Sequence, residues 1–279
     1  VDANIINTEF HTNLRFMMDD EYVVMAFKNR RDLVVFTNMR IIQADTKGMS
    51  GQKVEYISIP YQSVRCFSAE SAGSWDRDSE IDLYTSNTWT LSKVSLDFRK
   101  GKTNIIAIQK FLASIVFQNH DDLVQYTANS QGNDAMLTGG ITTMGGLLDL
   151  LLDNTVELDA AMVDHQLHND PSILMSNEHA VKVWRENRDL WVYTTKRLLL
   201  VDVKGFSGKK VKYKSIPYEW MTGFAVETAG HLDCDAEVFL YNDIPSQAKK
   251  MQKILVSKGN VFDMHVHLTN KLLFNSCEK

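Results

Sequence analysis

The chain has 279 residues and a formal net charge of −5, with 44% hydrophobic and 23% charged residues. This composition is typical of a folded globular protein and argues against a disordered or fibrous one. The negative charge argues against sequence-independent binding to nucleic acid, which needs a basic surface. The longest apolar cluster, "GGLLDLLLD" near Leu147, is far shorter than the roughly 20 residues of a membrane span. We therefore expect no transmembrane segment and no nucleic-acid partner.

The first predicted elements are a short helical leader, "INTEFHTNLRFMMDDEYV", and seven short antiparallel strands, which suit a small barrel or sandwich. Ile105, Ile108, Leu112 and Ile115 then recur at helical spacing and predict one closing helix. The strands are predicted in the segments "YVVMAF", "LVVFT", "RIIQAD", "KVEYISI", "SVRCFSAE", "EIDLYTS" and "TLSKVSLDF".

Residues 127–146 are rich in Gly, Ser, Thr and Asn and lack periodicity, which is typical of a linker. The segment that follows, "LLDLLLDNTVELDAAMVDHQLHND", predicts a leader of one or two helices. The segment "GNVFDMHVHLTNKLLF" predicts a second closing helix. The predicted division is a first domain at 1–126, the linker at 127–146, and a leader with a second domain at 147–279.

The chain contains one long sequence motif twice. "KGMSGQKVEYISIPY" starts at Lys47 and "KGFSGKKVKYKSIPY" starts at Lys204, a constant offset of 157 residues. About half of the positions from 31 to 84 are identical to their counterparts. Because this period is the size of a whole domain, it predicts tandem domains rather than a solenoid. We expect each copy to form an independent barrel with its own helix.

The run "RDL-V-T--R----D-KG-SG-KV-Y-SIPY" followed by "E-AG--D-D-E--LY" resembles the bacterial pleckstrin-homology (PH) domain family, and it occurs in both copies. The resemblance implies a mainly β (α+β) fold: two PH-like, seven-stranded bent barrels or sandwiches, each capped by a C-terminal helix, with a helical leader before the second. It also implies the absence of catalytic residues and a tendency to form ring-like homo-oligomers through strand edges. The tandem arrangement departs from the usual single domain.

Alternating acids at the start of one strand in each copy could hold calcium, but the calcium-loop pattern with its glycine is missing. The favoured interpretation is that these acids form structural ion pairs with arginines that recur at matching positions of both copies. The residues of these predicted pairs are Arg31, Arg40, Asp76, Asp78, Glu80, Arg188, Arg197, Asp233, Asp235 and Glu237.

The histidines do not predict a metal site. His265 and His267 are two residues apart on a predicted helix and so point in different directions. His165 and His168 have no acidic or cysteine partner that the sequence identifies. We expect no metal and no cofactor.

The basic cluster Lys209, Lys210, Lys212 and Lys214 lies on one predicted strand of the second copy. It could contact anionic lipid or an acidic partner. Alternatively, lysines on an exposed strand prevent unwanted edge pairing.

No Walker-type phosphate loop or nucleophile elbow is present, so we expect no enzyme. The three cysteines Cys66, Cys234 and Cys277 have no counterparts between the copies, which favours free thiols. Free thiols favour a reducing intracellular compartment, the cytoplasm or an organelle interior such as a plastid, rather than secretion. A targeting segment removed before Val1 is compatible with this expectation.

The sequence favours a non-catalytic scaffold that self-associates into a homo-oligomer or polymer, with other proteins of a large complex as further partners. The alternative is a peripheral membrane adaptor that uses the basic cluster. Strand edges are the expected contact surfaces, and a proline at Ser63 or Glu219 is expected to remove an edge donor.

Overall fold

The computed structural model describes residues 1–47, 53–72, 78–86, 92–99, 101, 103–118, 157–204, 210–228, 235–243, 249–255 and 261–274. The predicted linker and the first part of the second leader lie outside these residues, so the predicted domain boundaries remain predictions.

The first copy has a leader, seven strands and a closing helix, as predicted. The leader is helix α1 (Ala3–Thr8) continued by a π-helical turn (Glu9–Leu14), and the closing helix is α2 (Ile105–Val116). Asn104 caps α2, because its side chain accepts a hydrogen bond from the backbone of Ala107. The strands are β1 (Val23–Asn29), β2 (Asp32–Thr37), β3 (Arg40–Lys47), β4 (Lys53–Pro60), β5 (Val64–Glu70), β6 (Asp78–Thr85) and β7 (Lys93–Arg99).

The second copy repeats this order after a two-residue strand, β8 (Glu157–Leu158). Its leader helix is α3 (Ala160–Asn169), which Asp159 caps, and its closing helix is α4 (Val261–Thr269). The strands are β9 (Ala180–Glu186), β10 (Asp189–Thr194), β11 (Arg197–Lys204), β12 (Lys210–Pro217), β13 (Met221–Glu227), β14 (Asp235–Asn242) and β15 (Lys249–Leu255).

The strands form three antiparallel sheets. The first four strands form one sheet in the order β1-β2-β3-β4, and the last three form another in the order β13-β14-β15. The middle sheet has eight strands in the order β7-β6-β5-β12-β11-β10-β9-β8, so it combines three strands of the first copy with five of the second.

The expectation of two independent barrels is therefore wrong in one respect. The strands of the two copies are not intermixed, and each copy keeps its own closing helix, but β5 and β12 join the copies edge to edge. The physical reason is that an unpaired strand edge leaves a row of backbone donors and acceptors, which the other copy satisfies.

The two copies also share apolar contacts. The core of the first copy includes Phe67 and Ala69 of β5 and is covered by α2. Cys66 of β5 and Tyr84 of β6 lie instead in the core of the second copy, beside Ile216 of β12. Because successive strand residues point to opposite faces, β5 contributes to both cores.

Candidate functional site

Each copy contains an arginine that binds a glutamate of its leader segment, partly buried in the first copy and fully buried in the second. Arg197 donates to Glu178 at 2.9 and 3.0 Å and to the backbone carbonyl of Ile173 at 3.0 Å. Arg40 makes the equivalent bonds to Glu21 in the first copy. Arg40 and Arg197 thus form structural ion pairs as predicted, but the partner shown for each is a leader glutamate, which takes the bidentate position, rather than one of the alternating acids.

In the first copy the ion pair also changes the pKa of the glutamate. Burial acts to raise the pKa of Glu21, but hydrogen bonds from Arg40, the Met18 backbone and Thr37 outweigh it and lower that pKa. The ion pair of the second copy is more deeply buried, since the side chains of both Arg197 and Glu178 are fully inaccessible. These pairs connect leader to barrel and thus have a structural role.

The alternating acids lie at the start of β6 and β14. Glu80 approaches Lys93 at 3.9 Å, and the pKa of Glu80 is raised by its hydrogen bond with Asp82 and by burial. Asp235 and Glu237 begin β14, and Asp78 begins β6. Arg31 and Arg188 precede β2 and β10, whereas Asp76 and Asp233 lie outside the described residues. The ion-pair prediction for these residues remains a prediction.

The backbone junction between the copies is an antiparallel ladder. Tyr213 of β12 is opposite Ala69 of β5, and Ser215 is opposite Phe67. At one end of the ladder the Ser71 amide donates to the carbonyl of Val211 at 2.9 Å. This bond shows that alternate residues of β12, starting from Val211, direct their backbone groups toward β5.

Lysines of the second copy contact buried carboxylates of the first across this ladder. Lys210 lies 2.6 Å from Glu70 and Lys204 lies 2.8 Å from it. Lys212 lies 2.7 Å from Asp82 and 3.5 Å from Glu70. The lysines predicted to contact lipid or an acidic partner therefore include two that bridge the copies, while Lys209 lies outside the described residues.

The carboxylates of this junction are held in their charged form. Burial acts to raise the pKa of Glu70, but its hydrogen bonds to Lys204 and Lys210 lower it overall. The pKa of Asp82 is also well below its usual range, because hydrogen bonds with Glu80, Lys212, Lys93 and Ser95 outweigh burial. Burial acts to lower the pKa of Lys212, and Asp82 raises it overall.

Lys214 differs from the other lysines of β12 because it is almost completely buried. Its ammonium lies 4.9 Å from the centre of the Tyr84 ring, a cation–π contact between the copies. Burial lowers its pKa to about 8. Burial also raises the pKa of the neighbouring Cys66 thiol to about 11. Cys66 is free and buried, whereas the other two cysteines lie outside the described residues.

Two further contacts tie the copies together. The guanidinium of Arg65 on β5 lies 3.5 Å from the centre of the Trp220 ring. Gln109 of α2 donates to Ser215 of β12 at 3.0 Å. The closing helix of the first copy thus contacts the edge strand of the second.

The equivalent strand edges, β4 of the first copy and β13 of the second, have no partner strand on one side within the described residues. Within the described residues, β4 pairs with β3 alone and β13 pairs with β14 alone. On β4, Val54 and Tyr56 are 38% and 44% exposed. Their counterparts at the internal junction, Val211 and Tyr213, are 1% and 2% exposed. Among the described strands, β12 and β5 are therefore paired across the copies, whereas β4 and β13 each have one edge without a partner strand.

Sequence reasoning missed Glu70 and Asp82 as functional residues. A signal was present, because the copies differ in charge at matching positions. Lys212 replaces Glu55, and Asp82 is replaced by Phe239 in the second copy. Such a paired change at two positions of a repeat indicates contact between them.

The histidines expected to face different sides of α4 do so: His265 is exposed against the Phe224 ring, whereas His267 is buried against Tyr193. None of the described helices is long and apolar enough to cross a membrane.

Seven strands closed by one C-terminal helix in each copy define a tandem PH-like protein. The family model "Bacterial PH domain" matches residues 3–116 and 146–272. The chain belongs to the bacterial PH domain family.

Among its relatives, the uncharacterized protein YjqA of Bacillus subtilis (strain 168) is 44% identical over 99 residues, which is 36% of this chain and 78% of YjqA. The uncharacterized protein YozO of the same organism is 36% identical over 96 residues, covering 34% of this chain and 79% of YozO.

A solved structure of a DUF1696 family protein with a PH domain, from Shewanella loihica PV-4, is 33% identical and has a TM-score of 0.38. It covers 42% of this chain and 97% of its own. A PH domain from Shewanella amazonensis SB2B is 35% identical with a TM-score of 0.35 and covers 46% of this chain and 98% of its own.

Proposed function

We propose that this protein is a non-catalytic assembly subunit. Separate molecules join head to tail, with β4 of one molecule pairing with β13 of the next. The internal junction supplies the template, because β4 corresponds to β12 and β13 corresponds to β5. The contact is heterologous, so it closes into a ring or extends as a filament according to the rotation between subunits.

The observation that carries this proposal is the exposed apolar edge of β4. Val54 and Tyr56 are accessible, whereas the same positions of β12 are buried in an apolar cluster with α3 and with Ile106 of α2. Phe224 and Val226 on the facing edge, β13, are only partly buried. An exposed edge with apolar side chains is a template for strand pairing unless charges or prolines block it.

When β4 and β13 are aligned as β12 and β5 are in the internal junction, opposite charges come together. Lys53 corresponds to Lys210, and Glu227 corresponds to Glu70, so their attraction is retained. Glu55 takes the place of Lys212. Lys249 takes the place of Lys93, since Lys249 is opposite Tyr241 as Lys93 is opposite Tyr84.

The junction between molecules would therefore contain one ion pair in which the acid and the lysine have changed sides relative to the internal junction. Lys212 meets Asp82 inside the chain, whereas Glu55 would meet Lys249 between chains. Lys249 lies over the Phe239 ring at 4.0 Å, at the position that corresponds to Asp82. A wrong pairing of β4 with β5 would place Glu55 against Asp82, and this repulsion favours the correct partner.

The membrane alternative receives no specific support. Lys210 and Lys212 contact Glu70 and Asp82 of the same chain, so lipid headgroups would have to displace short ion pairs. We further propose a reducing intracellular compartment, in keeping with the free thiol of Cys66.

The test is the mass of the purified chain as a function of concentration, by light scattering after gel filtration. We expect species above the 31.8 kDa monomer. Tyr56 corresponds to Tyr213, which directs its backbone toward β5, so Tyr56→Pro removes an outward donor and spares the ladder to β3. We expect this variant to be monomeric with an unchanged circular dichroism spectrum.

Ser63 and Glu219 do not serve this test, contrary to the sequence-based expectation. They lie in 3-10 turns at 61–63 and 218–220, which follow Pro60 and Pro217. Ser63→Pro is thus a control outside the edge ladder. A parent chain that stays monomeric at tens of micromolar, or a Tyr56→Pro chain that assembles like the parent, would overturn the proposal.

A further inference from the structure

One cluster of metal-ligand side chains lies at the leader of the second copy, away from the strand edges. It contains Asp164 and His168, one turn apart on α3, and His179, which immediately precedes β9. Their ligand atoms all lie within 4.8 Å of one another. Sequence spacing alone supplied no third ligand, because His179 is brought in by the packing of α3 on β9.

We propose that Asp164, His168 and His179 form a binding site for a divalent transition metal, with Zn²⁺ as the best match. The Oδ2 atom of Asp164 lies 3.4 Å from Nδ1 of His168 and 3.5 Å from Nδ1 of His179. Ligands about 2.0–2.1 Å from a tetrahedral zinc ion are separated by about 3.3 Å. Two imidazoles and one carboxylate are a donor set that Zn²⁺ accepts.

Hydrogen bonds already orient two of the three ligands. Nε2 of His168 lies 3.1 Å from the backbone carbonyl of Met175, to which its N–H can donate, leaving Nδ1 for the metal. The other oxygen of Asp164, Oδ1, accepts from the Ala180 amide at 2.6 Å. Nδ1 of His168 also lies 2.9 Å from the carbonyl of Asp164, so the neutral ring can donate either there or to Met175, depending on its tautomer. Metal binding would select the tautomer that is protonated on Nε2.

The site is accessible from solvent. The His179 side chain is largely exposed, and those of Asp164 and His168 are partly exposed. Three protein ligands leave a fourth tetrahedral position for water or for a donor from another molecule. The bound ion would fasten α3 to the start of β9.

The first copy provides a natural comparison. Asn7, His11 and Tyr22 occupy the positions of Asp164, His168 and His179. The Asn7 side chain accepts from the Val23 amide at 3.0 Å, just as Asp164 accepts from Ala180. The fold therefore needs an acceptor at this position but not a carboxylate or a second histidine. The ligand set is specific to the second copy.

The experiment is calorimetric titration of the full chain with Zn²⁺, together with the thermal shift caused by the ion. Asp164→Asn combined with His179→Tyr gives the second copy the residues of the first. His165→Ala is the matched control, because His165 is an exposed histidine of the same helix outside the cluster.

We expect one Zn²⁺ per chain, a raised melting temperature on binding, and at least tenfold weaker binding in the double variant, while His165→Ala binds like the parent. The double variant should keep the parent's melting temperature without metal, which would show that it folds. Absence of stoichiometric binding by the parent, or equal binding by the folded double variant, would overturn the proposal. The assembly proposal is unaffected by either outcome.

Discussion

Two lysines of β12 that are two residues apart should respond to mutation in opposite directions. Lys214 is 7% exposed, and its pKa is lowered from 10.5 to about 8. Because each pKa unit corresponds to about 1.4 kcal/mol, burial disfavours its charged form by about 3 kcal/mol at pH 7. The cation–π contact with Tyr84 offsets about 1 kcal/mol of this cost.

We therefore expect Lys214→Ile to raise the free energy of unfolding by about 2 kcal/mol at pH 7, from the relief of this burial cost. Isoleucine is a suitable replacement because Ile57 occupies the same position in the first copy. The unfolded chain binds the proton more tightly than the folded chain between pH 8 and 10.5. The stability of the parent should consequently rise with pH in this window, and the advantage of the variant should shrink.

Lys212→Met is the comparison on the same strand. It removes the partner of Asp82 at 2.7 Å, although Lys93 still contacts that carboxylate. We expect a loss of about 2 kcal/mol, typical of a hydrogen bond to a charged group. Lys28→Met, at the exposed position of β1, should change stability by less than about 0.5 kcal/mol.

The assay is urea denaturation at pH 7 followed by far-ultraviolet circular dichroism, with the midpoint and slope compared among variants. An increase in midpoint for Lys214→Ile beside a decrease for Lys212→Met is the expected pattern. If both variants lose stability to the same extent, the burial cost assigned to Lys214 is wrong.

Three other predictions concern buried groups. Arg197→Ala should lower the free energy of unfolding by about 3–5 kcal/mol, because it leaves a buried glutamate unpaired. Arg40→Ala should lower it by less, because the Arg40 side chain is 22% exposed. Equal losses in calorimetric scans would contradict this. Glu70 and Asp82 have lowered pKa values, so their stabilisation is complete only above about pH 5 and is lost as the pH falls below that. Acid titration of the parent should show this loss, and a flat stability profile from pH 5 to 2 would argue against it. Because Cys66 is buried and its pKa is about 11, it should react with iodoacetamide far more slowly at pH 8 than it does in the unfolded chain. Equal rates would mean that the β5–β12 junction opens readily.

The repeat and the alternation of apolar residues were sufficient to predict the strands and closing helices of both copies. In β7, for example, Val94, Leu96 and Phe98 are buried while the residues between them are exposed. The helical spacing of Ile108 and Leu112 likewise matches their burial in α2. These features depend on local periodicity, which the sequence contains directly.

The junction between the copies could not be predicted in the same way. Glu70 and Lys210 are far apart in sequence, and no local pattern indicates that their strands are neighbours. The sequence left lipid, an acidic partner and protection against edge pairing open for the β12 lysines, because a strand sequence shows its own charge but not the carboxylates opposite it. His179 was missed for the same reason, since its distance to Asp164 depends on how α3 packs.

The central claim is that β4 and β13 of different molecules pair with the charges exchanged relative to the internal junction. Glu55→Lys would oppose Lys249 with a like charge, and Lys249→Glu would oppose Glu55 in the same way. A mixture of the two single variants, however, restores opposite charges at every contact between unlike chains.

The most direct measurement is the mass of each variant alone and of their equimolar mixture at low ionic strength, by sedimentation velocity. We predict that each variant alone sediments mainly as a monomer of about 31.8 kDa, and that the mixture assembles as the parent does. Assembly of either variant alone to the same extent as the parent, or a mixture that remains monomeric, would contradict pairing of these two edges.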